Sequence, residues 1–315
     1  MVLMYLSGFF APIQSIAPRR RDRKSCQRFK EMHEMPAVTE QIIFLNGLRL
    51  RFRDWPGPAT PKDTIVLLHG LSGHAHTWDA LARKLAANYR VLALDQRGHG
   101  ASDWAPPKRY GTDDMVADLT AFITALGLEA FSLLGLSMGG RVTIQYAGTQ
   151  PHGLRRAVIV EAAPEIEAAG MQSLRQNLAR NDTFASIEEA FAQARAANAT
   201  PPEAHHLERV RHGLMLNADG YWTYRYDPVL RSGAPRKFQS PEESWASVAR
   251  INVPTLVVRG ANSDLIARTT AERMCATMRQ AEFVEVAGAG HSVPLDKPTE
   301  FAAAVTSFFT RTDSV

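Results

Sequence analysis

The chain has few cysteines. Only Cys26 and Cys275 occur among its 315 residues, and they lie far apart in the sequence. Two such residues provide neither a disulfide framework nor the paired spacing of a structural zinc site. They fit a reducing compartment, so we expect a cytoplasmic location. With 45% apolar and 22% charged residues, a chain of this length can bury a large core without covalent cross-links.

The sequence also lacks a long uninterrupted apolar run. Residues 1–17 are fairly apolar, but Pro12 and Gln14 interrupt them, and a membrane-spanning helix needs about 20 apolar residues. Basic residues follow this stretch, whereas a secretory signal carries them in front. We therefore expect residues 1–36 to be a disordered extension, or to precede a true start at Met32 or Met35; a transit peptide is the alternative.

Outside this extension the chain has no excess of either charge. Residues 1–36 contain seven basic and three acidic residues, and 7 − 3 = +4 is the net charge of the whole chain. The remainder is therefore neutral, which argues against a nucleic-acid-binding face on the folded part. We expect a small-molecule partner, no nucleic acid and no transmembrane segment.

From residue 41 onwards, short apolar runs alternate with helical patterns. A hairpin is predicted from residues 41–45 and 48–53 around Asn46-Gly47. Six further runs have the length and composition of buried strands: Thr64–Leu68, Val91–Leu94, Phe131–Leu134, Ala157–Val160, Thr255–Val258 and Phe283–Val286. Alternation of this kind predicts an α/β protein with a mostly parallel twisted sheet and helices on both faces.

Residues 164–247 interrupt this alternation. They contain no clear buried strand, and an aromatic patch at Tyr221–Tyr226 follows three Ala- and charge-rich helical patterns: Ile166–Ala179, Ile187–Ala197 and Pro202–Leu214. We interpret residues 164–247 as a helical cap or lid inserted into a core formed by residues 37–163 and 248–315.

The segment Gly135-Leu136-Ser137-Met138-Gly139 follows a predicted strand and opens a predicted helix. The pattern Gly-x-Ser-x-Gly is weak alone, but this context is that of a nucleophile elbow, in which a strained turn exposes the serine. Small residues two places away on either side let strand and helix approach closely. Ser137 is therefore the candidate nucleophile.

A serine hydroxyl needs a base, and the base needs an orienting acid. His291 lies in a glycine-containing loop after the strand Phe283–Val286, and Asp264 follows the strand Thr255–Val258. Both therefore come to the edge of the sheet where Ser137 is expected. We predict the triad Ser137, Asp264 and His291, with Glu161, at the end of an earlier strand, as the competing acid.

Two backbone amides are expected to stabilise an oxyanion: that of Met138, directly after the nucleophile, and that of Leu71, in the loop after the first buried strand. His69 in the same loop is expected to pack beneath it. His74, His76 and Trp222 are candidate pocket residues, although exposure of the histidines and packing of Trp222 inside the insertion are equally open.

Taken together, these motifs resemble the α/β-hydrolase superfamily. The resemblance rests on Gly135–Gly140, Asp264, Gly290-His291 and two further turns, Leu68–Leu71 and Asp95–Gly100. It covers about residues 41 to 310 and implies the α/β-hydrolase fold. It also implies a serine-nucleophile mechanism, a helical cap at 164–247, no metal and no organic cofactor. The Asp95–Gly100 turn is expected to be structural, with Arg97 anchoring neighbouring loops.

The resemblance leaves the substrate open. Ser137 argues against the haloalkane dehalogenases and epoxide hydrolases of this fold, which use an aspartate nucleophile. We expect hydrolysis of carboxylic esters or lactones through an acyl-enzyme. The alternatives are carbon–carbon bond hydrolysis, perhydrolysis, and a ligand receptor that keeps the hydrolase pocket. A monomer and a homodimer both stay open.

Overall fold

A computed structural model describes residues 37–106, 109–232 and 237–312. The predictions for residues 1–36 therefore lie outside the described residues. The strands are β1 (Thr39–Leu45), β2 (Leu48–Trp55), β3 (Thr64–Leu68), β4 (Arg90–Leu94), β5 (Phe131–Leu136), β6 (Leu154–Val160), β7 (Thr183–Phe184), β8 (Leu214–Leu216), β9 (Trp222–Tyr224), β10 (Thr255–Gly260) and β11 (Ala281–Val286).

The described α-helices are α1 (Asp79–Leu85), α2 (Thr112–Ala125), α3 (Met138–Ala147), α4 (Ala168–Leu178), α5 (Ile187–Ala197), α6 (Glu203–Gly213), α7 (Pro241–Arg250), α8 (Arg268–Thr277), α9 (Val293–Asp296) and α10 (Pro298–Thr312). Short 3-10 helices cover Ala75–Trp78 and Pro228–Arg231. No helix in the described part of the chain is long and apolar enough to cross a membrane.

Eight strands form one sheet in the order β1-β2-β4-β3-β5-β6-β10-β11. β1 pairs with β2, and β2 with β4, in antiparallel fashion, whereas the other pairs are parallel. The β1–β2 hairpin turns at Asn46-Gly47, both with positive φ. This is the mostly parallel α/β sheet that the sequence predicts, and the carboxyl ends of its central strands meet at one edge.

Apolar residues cover both faces of the sheet. Along β3, Val66 and Leu68 belong to one core cluster, and Ile65 and Leu67 belong to the other. Because strand side chains alternate between faces, a run without polar residues needs helices on both sides. α2, α3, α7 and α8 cover the first face, and α1 and α10 cover the second.

The predicted structural role of Arg97 is confirmed. Its buried guanidinium donates to both carboxylate oxygens of Asp118 at 2.6 and 2.7 Å and to the carbonyl of Arg109 at 2.8 Å. A two-pronged bond of this kind fixes orientation as well as distance. Arg97 therefore ties the turn after β4 to α2.

Between β6 and β10 the chain forms the insertion, which contains α4, α5 and α6 at about the predicted places. The sequence missed a small antiparallel sheet in the order β7-β9-β8, to which part of the aromatic patch contributes. The predicted boundary between the insertion and the core, at residues 247 and 248, falls inside α7. This helix packs against the core helix α3.

Close approach of β5 and α3 gives the first prediction. A Cβ on Gly135 would lie 2.1 Å from the carbonyl oxygen of Gly139, so Gly135→Ala must push strand and helix apart. We expect a loss of about 3 kcal/mol or more in the free energy of unfolding, measured by urea denaturation.

The matched control is Gly127→Ala. Gly127 has a φ of +60° but nothing within 4 Å of its Cβ position, so this variant should lose only about 1 kcal/mol through backbone strain. Equal losses in the two variants would contradict the packing argument.

Candidate active site

Ser137 lies at the turn between β5 and α3 in a strained backbone conformation. Its φ is 52° and its ψ is −108°, outside the regions that residues with a side chain favour. The turn is fixed from two sides: the Ser137 amide donates to the carbonyl of Val160 at 2.8 Å, and a Cβ on Gly139 would lie 2.3 Å from the carbonyl oxygen of Leu68. The hydroxyl is thereby held at the sheet edge.

His291 lies in the loop after β11 and faces this hydroxyl. Its Nε2 is 3.0 Å from the Ser137 Oγ, and its Nδ1 is 3.1 Å from the Glu161 Oε2. The imidazole therefore bridges a hydroxyl and a carboxylate through its two nitrogens. A ring held this way can take a proton from the hydroxyl while the carboxylate fixes its tautomer.

Glu161 directly follows β6 and is 1% exposed. Its Oε1 accepts from the Gly260 amide at 2.6 Å, and its Oε2 accepts from the Ser263 hydroxyl at 2.6 Å. Like Ser137, it has a positive φ, here 50°. These bonds aim the carboxylate at His291 and compensate for its burial, which would be costly without partners.

The structure corrects the prediction that Asp264 orients His291. Asp264 is exposed, and its Oδ2 accepts a 2.5 Å hydrogen bond from the Ser173 hydroxyl of α4. The neighbouring Ser263 turns inward to Glu161 instead, so the side chain of Asp264 points to the insertion. The competing acid of the sequence analysis, Glu161, therefore takes the place next to the histidine.

The loop after β3 lies against the serine. A Cβ on Gly70 would be 3.3 Å from the Ser137 Cβ, which places the loop containing Leu71 beside the nucleophile turn. Met138 is the first residue of α3, where helix amides lack intrahelical partners. This arrangement is compatible with the predicted oxyanion amides of Leu71 and Met138, whose roles stay a prediction.

His69 is completely buried under that loop. Its Nδ1 lies 2.8 Å from the Gly70 carbonyl, and its Nε2 accepts from the Gln96 amide at 3.0 Å. This pattern fits a neutral ring with its proton on Nδ1. Burial lowers the pKa of His69 to about 4.

The three candidate pocket residues lie at two other places. His74 and His76 line a polar cavity of about 260 Å³ whose lining residues include neither Ser137 nor His291. The His76 ring stacks on that of His212 at 3.7 Å. Trp222 lies in β9 and packs against the apolar cluster of the insertion. This agrees with the alternative interpretation, in which Trp222 packs inside the insertion and does not line a pocket.

Among the described residues, His76, Asp79 and His212 are grouped closely enough to hold a metal ion, with ligand atoms within 4.8 Å of one another. However, Arg53 contacts this group, with its Nη1 2.5 Å from the His76 Nδ1 and its Nε 3.3 Å from the Asp79 carboxylate. A guanidinium in this position opposes a cation electrostatically and competes for the same ligand atoms.

Comparison with known proteins finds a family model and several relatives that match most of the chain. A family model described as the alpha/beta hydrolase family matches residues 65–304. The chain is 31% identical over 283 residues to a 3-hydroxybutyrate-oligomer hydrolase of Cupriavidus necator, covering 86% of this chain and 96% of that protein. It is 28% identical to esterase YbfF of Escherichia coli, covering 76% and 91%.

A similar solved structure is that of an alpha/beta hydrolase from Novosphingobium aromaticivorans. It superimposes with a TM-score of 0.77 at 26% identity, covering 88% of this chain and all of that one. The likeness therefore extends over most of the chain.

The buried His69 predicts that stability depends on pH. Between its ordinary pKa of about 6.5 and about 4, the unfolded chain binds a proton that the folded protein does not. Stability is therefore lost as the pH falls through this window, by about 3 kcal/mol for this residue.

Urea unfolding at pH 7 and pH 4.5 measures this effect. His69→Gln should lose less stability between the two pH values than the unsubstituted protein does. The same loss in both proteins would contradict the assignment of a neutral buried His69.

Proposed function

Because the chain belongs to the alpha/beta hydrolase family, we propose that it is a cofactor-independent serine hydrolase with Ser137 as nucleophile, His291 as base and Glu161 as orienting acid. The observation that carries this proposal is the continuous path from the Glu161 carboxylate through both nitrogens of His291 to the Ser137 hydroxyl. The path joins groups from three separate strand ends, and the serine has a backbone conformation that packing alone does not require.

The proposed reaction begins when His291 takes the Ser137 proton and Oγ attacks an acyl carbonyl. Glu161 stabilises the imidazolium that forms, and the amides of Leu71 and Met138 bind the oxyanion. The histidine then protonates the leaving group. Water, activated by the same histidine, releases the acid from the acyl-enzyme.

Carboxylic esters and lactones are the proposed substrates. One relative is named an esterase and another a hydrolase of 3-hydroxybutyrate oligomers, and both names fit acyl transfer to water. The insertion is proposed to act as a cap, because Ser173 of α4 and Asn198 after α5 hydrogen-bond to core residues near the site. The expected cytoplasmic location stays a prediction that rests on the cysteine content.

The direct test is turnover of p-nitrophenyl esters of increasing acyl length. Ser137→Ala should lower kcat by about 10⁴-fold or more, because the nucleophile is lost while the fold persists. Ser307→Ala is the matched control, since Ser307 is exposed on α10 and should keep full activity. Undiminished turnover in Ser137→Ala would overturn the mechanism.

A well-folded protein that hydrolyses no ester in the series would instead support carbon–carbon bond hydrolysis or the receptor hypothesis. A receptor that keeps the pocket would give at most one equivalent of acylated protein, so the released p-nitrophenol would stop at one equivalent.

A second pair of variants tests the acid. Glu161→Gln keeps the size of the side chain but removes the charge that stabilises the imidazolium, and we expect kcat to fall by about 10³-fold or more. Asp264→Asn should change kcat less than about threefold, because Asp264 is exposed and bonded to Ser173. If Asp264→Asn lowered kcat strongly and Glu161→Gln did not, Asp264 would be the acid and the role proposed for Glu161 would be wrong.

A further inference from the structure

The loop that carries His291 is closed on itself by the side chain of Asp296. Asp296 is the last residue of α9 and is 2% exposed. Its Oδ2 accepts from the Gly290 amide at 2.8 Å, and His291 is the residue directly after Gly290. The bond therefore joins the two ends of the short segment in which the histidine lies.

The peptide group between Ala289 and Gly290 is held at both of its polar ends. Its carbonyl oxygen accepts from the Asn262 amide, in the loop after β10, at 2.8 Å, and its amide donates to Asp296. Because a peptide group is planar, two bonds at its opposite ends fix its orientation. They therefore restrict the backbone from which the His291 side chain extends towards Ser137.

The second oxygen of Asp296 is bound by the insertion. Its Oδ1 accepts from the Nδ2 of Asn198, directly after α5, at 2.7 Å. The Asn198 Oδ1 in turn accepts from the Thr200 amide at 3.0 Å. Since a carboxylate only accepts hydrogen bonds, the Nδ2 is the atom of Asn198 that fits against it. One chain of hydrogen bonds thus runs from the insertion to the peptide group before His291.

Both donors matter because the carboxylate of Asp296 is buried. Burial raises the pKa of Asp296, and the hydrogen bonds from Asn198 and Gly290 oppose this shift. A buried carboxylate that loses a donor is less stable in its charged form. Loss of the Asn198 bond therefore favours protonation or rotation of the carboxylate, and either change disturbs the oxygen that holds the Gly290 amide.

We propose that Asp296 is a positioning residue for His291, and that the insertion supports it through Asn198. With both bonds made, the segment that carries His291 is fixed, and the Nε2 of the ring stays within reach of the Ser137 hydroxyl. When the insertion moves away from the core, the Asn198 bond is lost and the base loses part of its support. This inference rests on the proposed function, since it takes His291 as the base.

Exchange of the two partners tests this chain of hydrogen bonds. Asp296→Asn sets two amide groups against each other, and Asn198→Asp sets two carboxylates against each other. Each single variant should lower kcat on p-nitrophenyl esters by about tenfold to a hundredfold, with KM changed less than about threefold, because the base is displaced. The double variant restores both bonds of residue 296 with donor and acceptor exchanged, so kcat should return to within about threefold of the unsubstituted protein.

Asn217→Asp is the matched control for the added charge. Asn217 also lies in the insertion, and its Oδ1 accepts from the amides of Asp219 and Tyr221, bonds that an aspartate keeps. This variant should change kcat less than about threefold. Two results would overturn the proposal: single variants with unchanged kcat, or a double variant that is no more active than the single ones. The latter would mean that Asn198 and Asp296 only maintain the structure.

A single modification step separates this proposal from the proposed function. When Ser137 reacts with a fluorophosphonate, Oγ bonds to phosphorus, the hydroxyl proton passes to His291 and fluoride leaves. This step needs the base but no turnover, and mass spectrometry of the intact protein measures its rate.

If no ester is hydrolysed, but modification slows about tenfold or more in Asn198→Asp and recovers in the double variant, the hydrolase function fails and the positioning role stands. If esters are hydrolysed, but all variants are modified at the same rate, the positioning role fails and the function stands. A protein that neither hydrolyses esters nor reacts with the fluorophosphonate would overturn both.

Discussion

The buried carboxylate of Glu161 is the constraint on which the rest of the site depends. A carboxylate at 1% exposure must have its oxygens hydrogen-bonded, and here the donors come from β10, from the loop after it and from His291. These bonds tie three strand ends together at one edge of the sheet. Moving any of them would leave a buried charge unsatisfied, so the requirement that stabilises this edge also sets the distance between histidine and serine.

The nucleophile turn and the histidine loop could be predicted from the sequence because their signals are local. A strand, a Gly-x-Ser-x-Gly turn and a helix specify Ser137, and a loop after the last strand specifies His291. The acid could not be chosen in this way. β6 and β10 are neighbours in the sheet, so Glu161 and Asp264 both follow strands that end at the same edge. The choice depends on which residue after β10 turns inward, and Ser263 does so because it completes the shell of Glu161.

The insertion shows a similar division between local and long-range information. Helices α4, α5 and α6 have Ala- and charge-rich stretches of helical length, and the sequence predicts each of them to within two residues. Its small sheet is built from strands of two and three residues, which are too short to show a period. Trp222 and Tyr224 become strand residues only because β7 and β8 lie beside them. The place of α6 depends in turn on His74, which contacts the backbone carbonyl of Arg209, 135 positions away in the sequence.

The hydrogen bonds of the catalytic groups are separate from those that join the insertion to the core, and this separation affects how specificity can arise. In the core, Glu161 is saturated by donors, so its charge is available to His291 and to little else. The insertion meets this part of the core through Ser173, which donates to Asp264, and through Asn198, which donates to Asp296, and neither bond involves Glu161. Binding energy from contacts of a substrate with the insertion can position the acyl carbon over Ser137. Under the proposed function, chemistry and selectivity then belong to separate parts of the chain, and the insertion can change side chains other than Asn198 without disturbing the hydrogen bonds that hold serine, histidine and glutamate together.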